Sequence, residues 1–393
     1  MSEVVILSAA RTPIGAFQGA LAAVPAPQLG ARAIAGAVER AGLVPADLEQ
    51  VYMGCVLTAG VGQAPARQAA LAAGCPDSTG AITFNKVCGS AMRAVMSAAN
   101  DLRAGDFALV AAGGMESMSR APYLALGARD GLRLGHGKFI DSMIYDGLWD
   151  PYGDQHMGNC AEICARHYAF TREEQDAYSR ESYARARRAQ ETGASAREIV
   201  AVEVPGRKGP TLVDKDEEPG KADLDRMASL KPAFEKDGTV TAANASKIDD
   251  GGAALVLTTA GEAKRRGLKP VARLLAQASF AQKPEWFTTA PVGAMTKALE
   301  RAGLSVSDMD LFEINEAFAV VAMACARELA IPHEKLNVRG GAVALGHPIG
   351  ASGARILVTL LDALAERGGR YGCAGICIGG GEATAVVVER LAG

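Results

Sequence analysis

The chain repeats itself, and that repetition most limits the folds open to it. Ala37-Val38-Glu39-Arg40-Ala41-Gly42-Leu43 returns as Ala298-Leu299-Glu300-Arg301-Ala302-Gly303-Leu304, with Asp47 and Asp308 at the same offset beyond. Cys88-Gly89-Ser90-Ala91-Met92-Arg93 aligns with Gly350-Ala351-Ser352-Gly353-Ala354-Arg355. Ala112-Gly113-Gly114-Met115-Glu116 aligns with Ile378-Gly379-Gly380-Gly381-Glu382. Helix-end sequences recur by chance, but three matches kept in order imply two similar halves. Each half alternates strand-like apolar runs with helical periodicity. Strands are predicted over 4–8, 50–56, 107–112 and 255–259 in the first half, and over 272–275, 311–314, 376–378 and 383–389 in the second. Helices are predicted over 29–41, 90–102, 294–302, 318–329 and 352–366. The alternation specifies an α/β layered fold.

Residues 120–249 interrupt this order. They are more polar and hold a helical stretch over 172–191 and a charged loop over 214–225. They read as an insertion in the first half, either a lid over a reaction site or a plain exposed elaboration. The expected divisions are a first half over 1–119 and 250–268, a lid over 120–249 and a second half over 269–393.

At 393 residues the chain suits two or three domains. A net charge of −3 gives no reason to expect nucleic acid or an anionic membrane as partner. No apolar run approaches the ~18 to 20 residues of a membrane helix. Strand-like sequence begins at Val4, leaving little room for a leader, and the C-terminal residues carry no retention signal, so a cytoplasmic location is expected. Eight cysteines do not make a disulfide scaffold at this length. Cys160 and Cys164, and Cys373 and Cys377, are spaced by four, so a structural zinc site is the alternative use of these thiols. The wide spacing and the lack of a nearby His weigh against it, and no metal is expected.

Four segments carry chemistry. Cys88 precedes Gly89-Ser90 and a helical run, which puts its sulfur near a helix N-terminus, where unpaired N–H groups favour a thiolate. A buried, inert cysteine is the other reading. His347 stands in Gly346-His347-Pro348-Ile349-Gly350-Ala351-Ser352-Gly353, fixed by proline and flanked by glycine. It suits a base for a thiol, an oxyanion donor or a turn-capping His. Cys377 follows a strand and precedes Gly379-Gly380-Gly381, whose N–H groups can receive a carbonyl oxygen. Asn315-Glu316 ends an apolar run, which delivers a carboxamide at a strand end or a helix cap. If the halves pack about a pseudo-twofold axis, the helix starts after Cys88 and His347 face each other. Two thiols, an imidazole and an amide beside glycines are equipment for acyl transfer through a thioester.

These segments resemble the thiolase family over nearly the whole length. Asn85-Lys86-Val87-Cys88-Gly89-Ser90 is similar to the nucleophile segment, and Gly113-Gly114-Met115-Glu116-Ser117-Met118-Ser119 to the glycine turn after the central strand. Asn315-Glu316-Ala317-Phe318, Gly346-His347-Pro348 and Cys377-Ile378-Gly379-Gly380-Gly381 are similar to the remaining catalytic blocks. The resemblance implies two βα halves, each with a central mixed sheet, and a lid inserted in the first. It implies that Cys88 carries the acyl group, that His347 activates Cys88 and, with a water on Asn315, binds the second thioester's oxygen, and that Cys377 moves the α-proton. Gly379 and Cys88 supply the oxyanion N–H groups. Ping-pong condensation of two acetyl-CoA to acetoacetyl-CoA and CoA, or the reverse thiolysis, is the implied reaction. The alternative is a broader 3-ketoacyl-CoA thiolase. His156-Met157 resembles the short-chain type, in which Met narrows the acyl pocket. Leu148, Ala317 and Phe318 belong near the acyl and pantetheine end, and Ser246 near the pantetheine. CoA is substrate or product, no further cofactor is implied, and a homotetramer is expected, with 123–143 as its arm.

Some residues depart from the family pattern. Lys247 stands where Gly is usual, Asp249 where Asn is usual, Arg339 where Asn is usual, and Glu382 where a small residue is commoner. Lys247 and Arg339 are expected at CoA contacts or a subunit interface. Lys215 and Lys221 are candidates for the nucleotide phosphates. Thr241-Ala242-Ala243-Asn244-Ala245 resembles potassium-responsive members.

Overall fold

In the computed structural model, which describes residues 2–391, nine main strands form one sheet. The first half supplies β1 (Val4–Arg11), β2 (Gln50–Gly54), β3 (Gly80–Phe84), β4 (Leu109–Ser117) and β5 (Asp249–Thr259). The second supplies β6 (Ala272–Ala281), β7 (Leu311–Ile314), β8 (Tyr371–Ile378) and β9 (Glu382–Arg390). Their order is β7-β8-β9-β6-β1-β5-β4-β2-β3. Within the sheet, the halves pair through Val5–Arg273 and Ile6–Ala272 of β1 and β6.

Outward from that join the two halves read alike. β1, β5 and β4 are mutually antiparallel neighbours and β2 runs parallel to β4; β6, β9 and β8 are antiparallel and β7 runs parallel to β8. β3 has no full counterpart. In its place a single bridge pairs Phe312 with Leu336, and Asn337 N–H donates to the Phe312 carbonyl at 2.9 Å.

The helices that position the site are α1 (Ala26–Arg40), α2 (Ser90–Ala104), α3 (Met157–His167), α4 (Arg172–Glu191), α5 (Ala290–Ala302), α6 (Ala319–Glu328) and α7 (Ser352–Arg367). The first repeat is one local structure used twice. α1 and α5 each end at a left-handed glycine, Gly42 or Gly303, and a 3-10 turn follows, closed by Asp47 or Asp308 on its own N-cap N–H. Strand residues alternate between cores, as a period of two requires. Val110 and Ala112 of β4 and Ala374 and Ile376 of β8 pack with α2 and α7 in one shared middle layer. Leu109 and Ala111 face α1, while Cys373 and Cys377 face α5 and α6. The two halves of the one sheet therefore stack as separate layers in the order helix, sheet, helix, sheet, helix, with α2 and α7 in the middle.

Helix Arg172–Glu191 matches its predicted bounds, fixed by a capping box between Thr171 and Glu174. Other boundaries differ. Gly113 and Gly114 form no turn: β4 runs through them, paired with Ala254 and Ala253 of β5. They are glycines for space, since a Cβ on Gly114 would meet the Gly350 carbonyl oxygen at 2.0 Å. β5 begins at Asp249, well before the apolar run, because Asp249-Asp250-Gly251-Gly252 is buried despite its turn-like composition. Strand Gly80–Phe84 and helices Pro65–Ala72 and Met157–His167 were not predicted. Residues 123–143 form a small hairpin, Tyr123–Leu124 with Ile140–Asp141, which leaves Tyr123, Leu126, Leu132, Leu134 and Phe139 exposed.

Arg339 is at neither a CoA contact nor the surface. It is buried in an ion network with Glu198, Asp362 and Glu366. Arg11 completes the network with 2.7 Å contacts to Glu198 and Asp216. Lys221 pairs with Glu217 on its own turn. The network ties β1 to a helical turn of the lid (Ala194–Glu198) and to α7. Removing one partner of a buried ion group strands the others. Arg11→Met is therefore expected to lose about 3–5 kcal/mol of stability, read by urea unfolding. A change below about 1 kcal/mol, the range of exposed pairs, would show that the network does not hold the halves together.

Candidate active site

The nucleophile segment is a strained turn between β3 and α2. Val87 is held at φ 45°, a left-handed conformation that a β-branched residue rarely adopts. Ser90 stabilises it: its Oγ accepts the Lys86 N–H at 2.8 Å and donates to the Val87 carbonyl at 2.6 Å. This puts Cys88 one residue before the Gly89 N-cap of α2. A Cβ on Gly89 would sit 2.3 Å from Ile378 Cδ1, so only glycine lets the turn approach the end of β8.

Cys88 is half-buried, and the other seven cysteines are buried. Burial pushes its thiol up to about 11, opposed by the backbone N–H groups of Gly379 and of Cys88 itself, which point at the sulfur. Those N–H groups bring the Cys88 and Cys377 segments together. Cys377 lies fully buried at the end of β8, where burial and then the nearby Cys88 hold its thiol well above the ordinary range. Gly380 and Gly381 take left-handed φ to turn the chain from β8 into β9. Across this turn Lys86 forms an ion pair with Glu382, so the departure at 382 clips the two thiol segments together.

His347 approaches from the second half. Ser352 Oγ donates to the Pro348 carbonyl at 3.0 Å, so at 2.6 Å it accepts from Nδ1–H of His347. Nε2 then carries the lone pair, with Asn315 Nδ2 at 3.4 Å. Burial, and secondarily Arg355, depress the imidazole to about 3, so the ring is neutral at physiological pH. Its backbone N–H is held by Asp249 Oδ2 at 3.0 Å and by the Lys247 carbonyl at 3.2 Å. Asn315 directly follows β7 and is buried, and its Oδ1 has no hydrogen-bond partner among the described residues. Glu316 turns away: its carboxylate accepts from Tyr178, Ser182, Asn337 and the Val343 N–H and fixes the loop before His347.

The lid contributes a wall. Met157 begins α3, with its sulfur 3.7 Å from where a Gly379 side chain would start. His156 caps that helix through Nδ1 to Gly158 N–H and stacks on Phe234, which meets Phe318 edge-on. Ser246 is half-buried beside them, its N–H on the Ala317 carbonyl at 3.0 Å. Leu148 lies apart from this wall, packed with Ile349, Val56 and Leu57. A cavity of about 270 Å³ lies beside Lys247, lined by Tyr183, Leu224, Met227 and Leu230.

Three positioning residues escaped sequence reasoning. Ser352 lies five residues after His347 and sets its tautomer. Val87 carries the strain. Glu116 accepts from Val56 N–H and Gly350 N–H, both at 2.9 Å, and so fastens the His347 loop to the first half. The glycines around His347 signal crowding, but nothing local marks Glu116. Among the described residues no group of three or more His, Cys, Asp or Glu could hold a metal ion.

The arrangement therefore offers one accessible thiol with N–H groups on its sulfur, a buried thiol beside it and a neutral imidazole. Iodoacetamide should alkylate Cys88 before any other cysteine. Its rate should rise roughly tenfold per pH unit from about pH 7 to about pH 9 without levelling, because the thiol is raised and the thiolate is the reactive form. Peptide mapping by mass spectrometry reads the site, and a plateau near pH 8 would contradict the burial effect.

Comparison with known proteins agrees with this geometry. The sequence pattern of the thiolase N-terminal domain matches residues 4–261, and that of the thiolase C-terminal domain matches 268–390. Acetyl-CoA acetyltransferase 2 of Arabidopsis thaliana is 53% identical over 392 residues, covering 99% of this chain and 97% of its own. Acetyl-CoA acetyltransferases of Cupriavidus necator and Pseudomonas aeruginosa are 51% and 50% identical, each covering 99% of this chain and all of the relative.

Proposed function

The chain belongs to the thiolase family, and from that premise we propose that it is an acyltransferase that joins two acetyl-CoA into acetoacetyl-CoA and CoA, or runs the reverse thiolysis, through an S-acetyl-Cys88 intermediate. The observation that carries the reading is the pair of backbone N–H groups, from Gly379 and Cys88, directed at the Cys88 sulfur beside Cys377.

His347 Nε2 takes the thiol proton as Cys88 attacks the acetyl carbonyl. The N–H groups of Cys88 and Gly379 receive the oxyanion, and the departing CoA sulfur takes its proton from the Cys377 thiol, which becomes the thiolate, while His347 keeps the Cys88 proton on Nε2. Both groups are neutral at rest, so charge develops only as the carbonyl oxygen enters those N–H groups. Cys377 then removes a proton from the methyl group of a second acetyl-CoA. Nε2–H of His347, which carries the proton taken from Cys88, and a water on Asn315 Oδ1 donate to that thioester's oxygen. The carbanion attacks the S-acetyl carbonyl, and collapse releases acetoacetyl-CoA and the Cys88 thiolate, which regains its proton from His347. His156, Met157 and Phe318 bound the acyl chain, with Ala317 holding Ser246 beside the pantetheine. Leu148 lines the approach through Ile349. The cavity beside Lys247 takes the rest of CoA.

No described helix is long and apolar enough to cross a membrane. The apolar side chains exposed on 123–143 support a homotetramer built through that arm, and we place the enzyme in the cytoplasm.

The test is CoA-dependent cleavage of 3-ketoacyl-CoA thioesters of about four, six and ten carbons, with Cys88→Ala and Cys377→Ala alongside. Turnover confined to the shortest substrate, and reduced by roughly 10³-fold or more in each variant, is the expected result. Comparable turnover of the longest substrate would replace it with the broader 3-ketoacyl-CoA thiolase.

A further inference from the structure

Lys247 is the departure that the mechanism leaves unused, and its surroundings are unlike those of an ordinary lysine. Its ammonium donates to two backbone carbonyls, Ala245 at 3.0 Å and Val343 at 3.2 Å. The Tyr183 ring lies beneath it at 5.6 Å to the centroid. Among the described residues no carboxylate oxygen reaches it within salt-bridge distance. Glu218, Asp249 and Glu316 act on it only from farther off. Carbonyl oxygens and a π face, with acidic groups at second remove, are also what a weakly hydrated monovalent cation selects.

The two carbonyls belong to the site. Ala245 immediately precedes Ser246. Val343 lies in the helical turn Ala342–Leu345 that leads into His347. Lys247 also holds His347 directly, since its own carbonyl accepts the His347 N–H at 3.2 Å. One residue thus clamps the Ser246 segment to both ends of the 343–347 segment.

We propose that the Lys247 ammonium is a built-in monovalent cation, occupying a carbonyl site that would otherwise take a potassium ion, and that it positions Ser246 and His347 without a bound ion. Lys247 is a positioning residue on this view. The proposal reverses the expectation of potassium response drawn from Thr241–Ala245, and it rests on the reading of Ser246 and His347 given above.

Burial brings the ammonium down to about 8, while Glu218, Asp249 and Glu316 favour the charged form. It is therefore charged at neutral pH. Potassium and ammonium ions are close in size, so deleting the side chain should expose a site for the ion itself. The test compares the full-length wild type with Lys247→Ala and Lys247→Met in choline, sodium and potassium chloride at equal ionic strength. Two readouts are taken: kcat/KM for acetoacetyl-CoA thiolysis, and the melting temperature without substrate.

The wild type should be indifferent to the salt in both readouts. Lys247→Ala should lose about tenfold or more in kcat/KM in choline. Potassium should restore most of that loss and raise the variant's melting temperature, and sodium should do so less. Lys247→Met fills the space without charge, so it should lose activity and gain nothing from potassium. A variant as active as wild type in choline would overturn the proposal. So would a loss that Lys247→Arg repairs but potassium does not, which would assign the ammonium to the phosphates of CoA. The melting shift does not depend on turnover, so an enzyme inactive on acetoacetyl-CoA would sink the functional reading alone.

Discussion

The structure depends on the contact of two backbones at the join between the halves. α2 and α7 start side by side in the middle layer, and no side chains separate them there. A Cβ on Gly353 would lie 2.5 Å from the Met92 nitrogen, and one on Gly54 would lie 2.5 Å from the Gly350 carbonyl oxygen. Gly114 meets the same oxygen from β4. With this spacing the turn before α2 and the turn before α7 share one space, and Cys88 and His347 reach it from opposite sides. Glu116 fastens the same point, its buried carboxylate bridging Gly350 N–H to Val56 N–H. Burial raises that carboxyl to about 7, against the pull of those N–H groups, so the contact stays polar without adding a full charge.

Electrostatics follow from the same crowding. His347, Cys88 and Cys377 are all shifted toward their neutral forms, and burial is the first cause in each. The site holds little charge until a substrate brings a carbonyl oxygen to the N–H groups. Preorganised dipoles act strongly in such a dry setting and need not reorganise during reaction. Ser352, Asp249 and Asn315 do for the imidazole what the Gly379 and Cys88 N–H groups do for the sulfur: they fix where it points.

Most of the fold was legible because strands and helices alternate in a repeated order with clear apolar periods. Arg172–Glu191 was readable to the residue from Thr171 and Glu174, and Ser90 was readable as a helix start from the glycine before it. α3 was missed because its cap is the ring of His156, which is no customary signal. β3 was missed because Gly80–Phe84 is short and half-exposed. Gly113 and Gly114 misled, since a glycine pair reads as a turn when it is there to admit another backbone. In the site, Cys88, His347 and Cys377 stood out through their glycine and proline neighbours, and Asn315 only as the polar end of an apolar run. Glu116 and Ser352 did not, because each acts through long-range contacts that no local pattern encodes. Arg339 was misplaced for a related reason: sequence shows its charge but not the three carboxylates folded around it.

The unequal halves carry a historical consequence. Two separate, identical copies of such a half would associate about a true twofold axis and face each other with the same residue on both sides. Every change at that meeting point would then appear twice. Covalent linkage removes the obligation. Position 88 can be a cysteine while its counterpart, 350, is a glycine pressed against Glu116 and the Met115 carbonyl, and 377 can be a cysteine while 111 is an alanine. Even the shortened edge beyond β7, where one bridge stands for a whole strand, records this freedom. A duplicated ancestor could specialise its copies one residue at a time and so exchange two equivalent weak centres for a single centre of unlike parts.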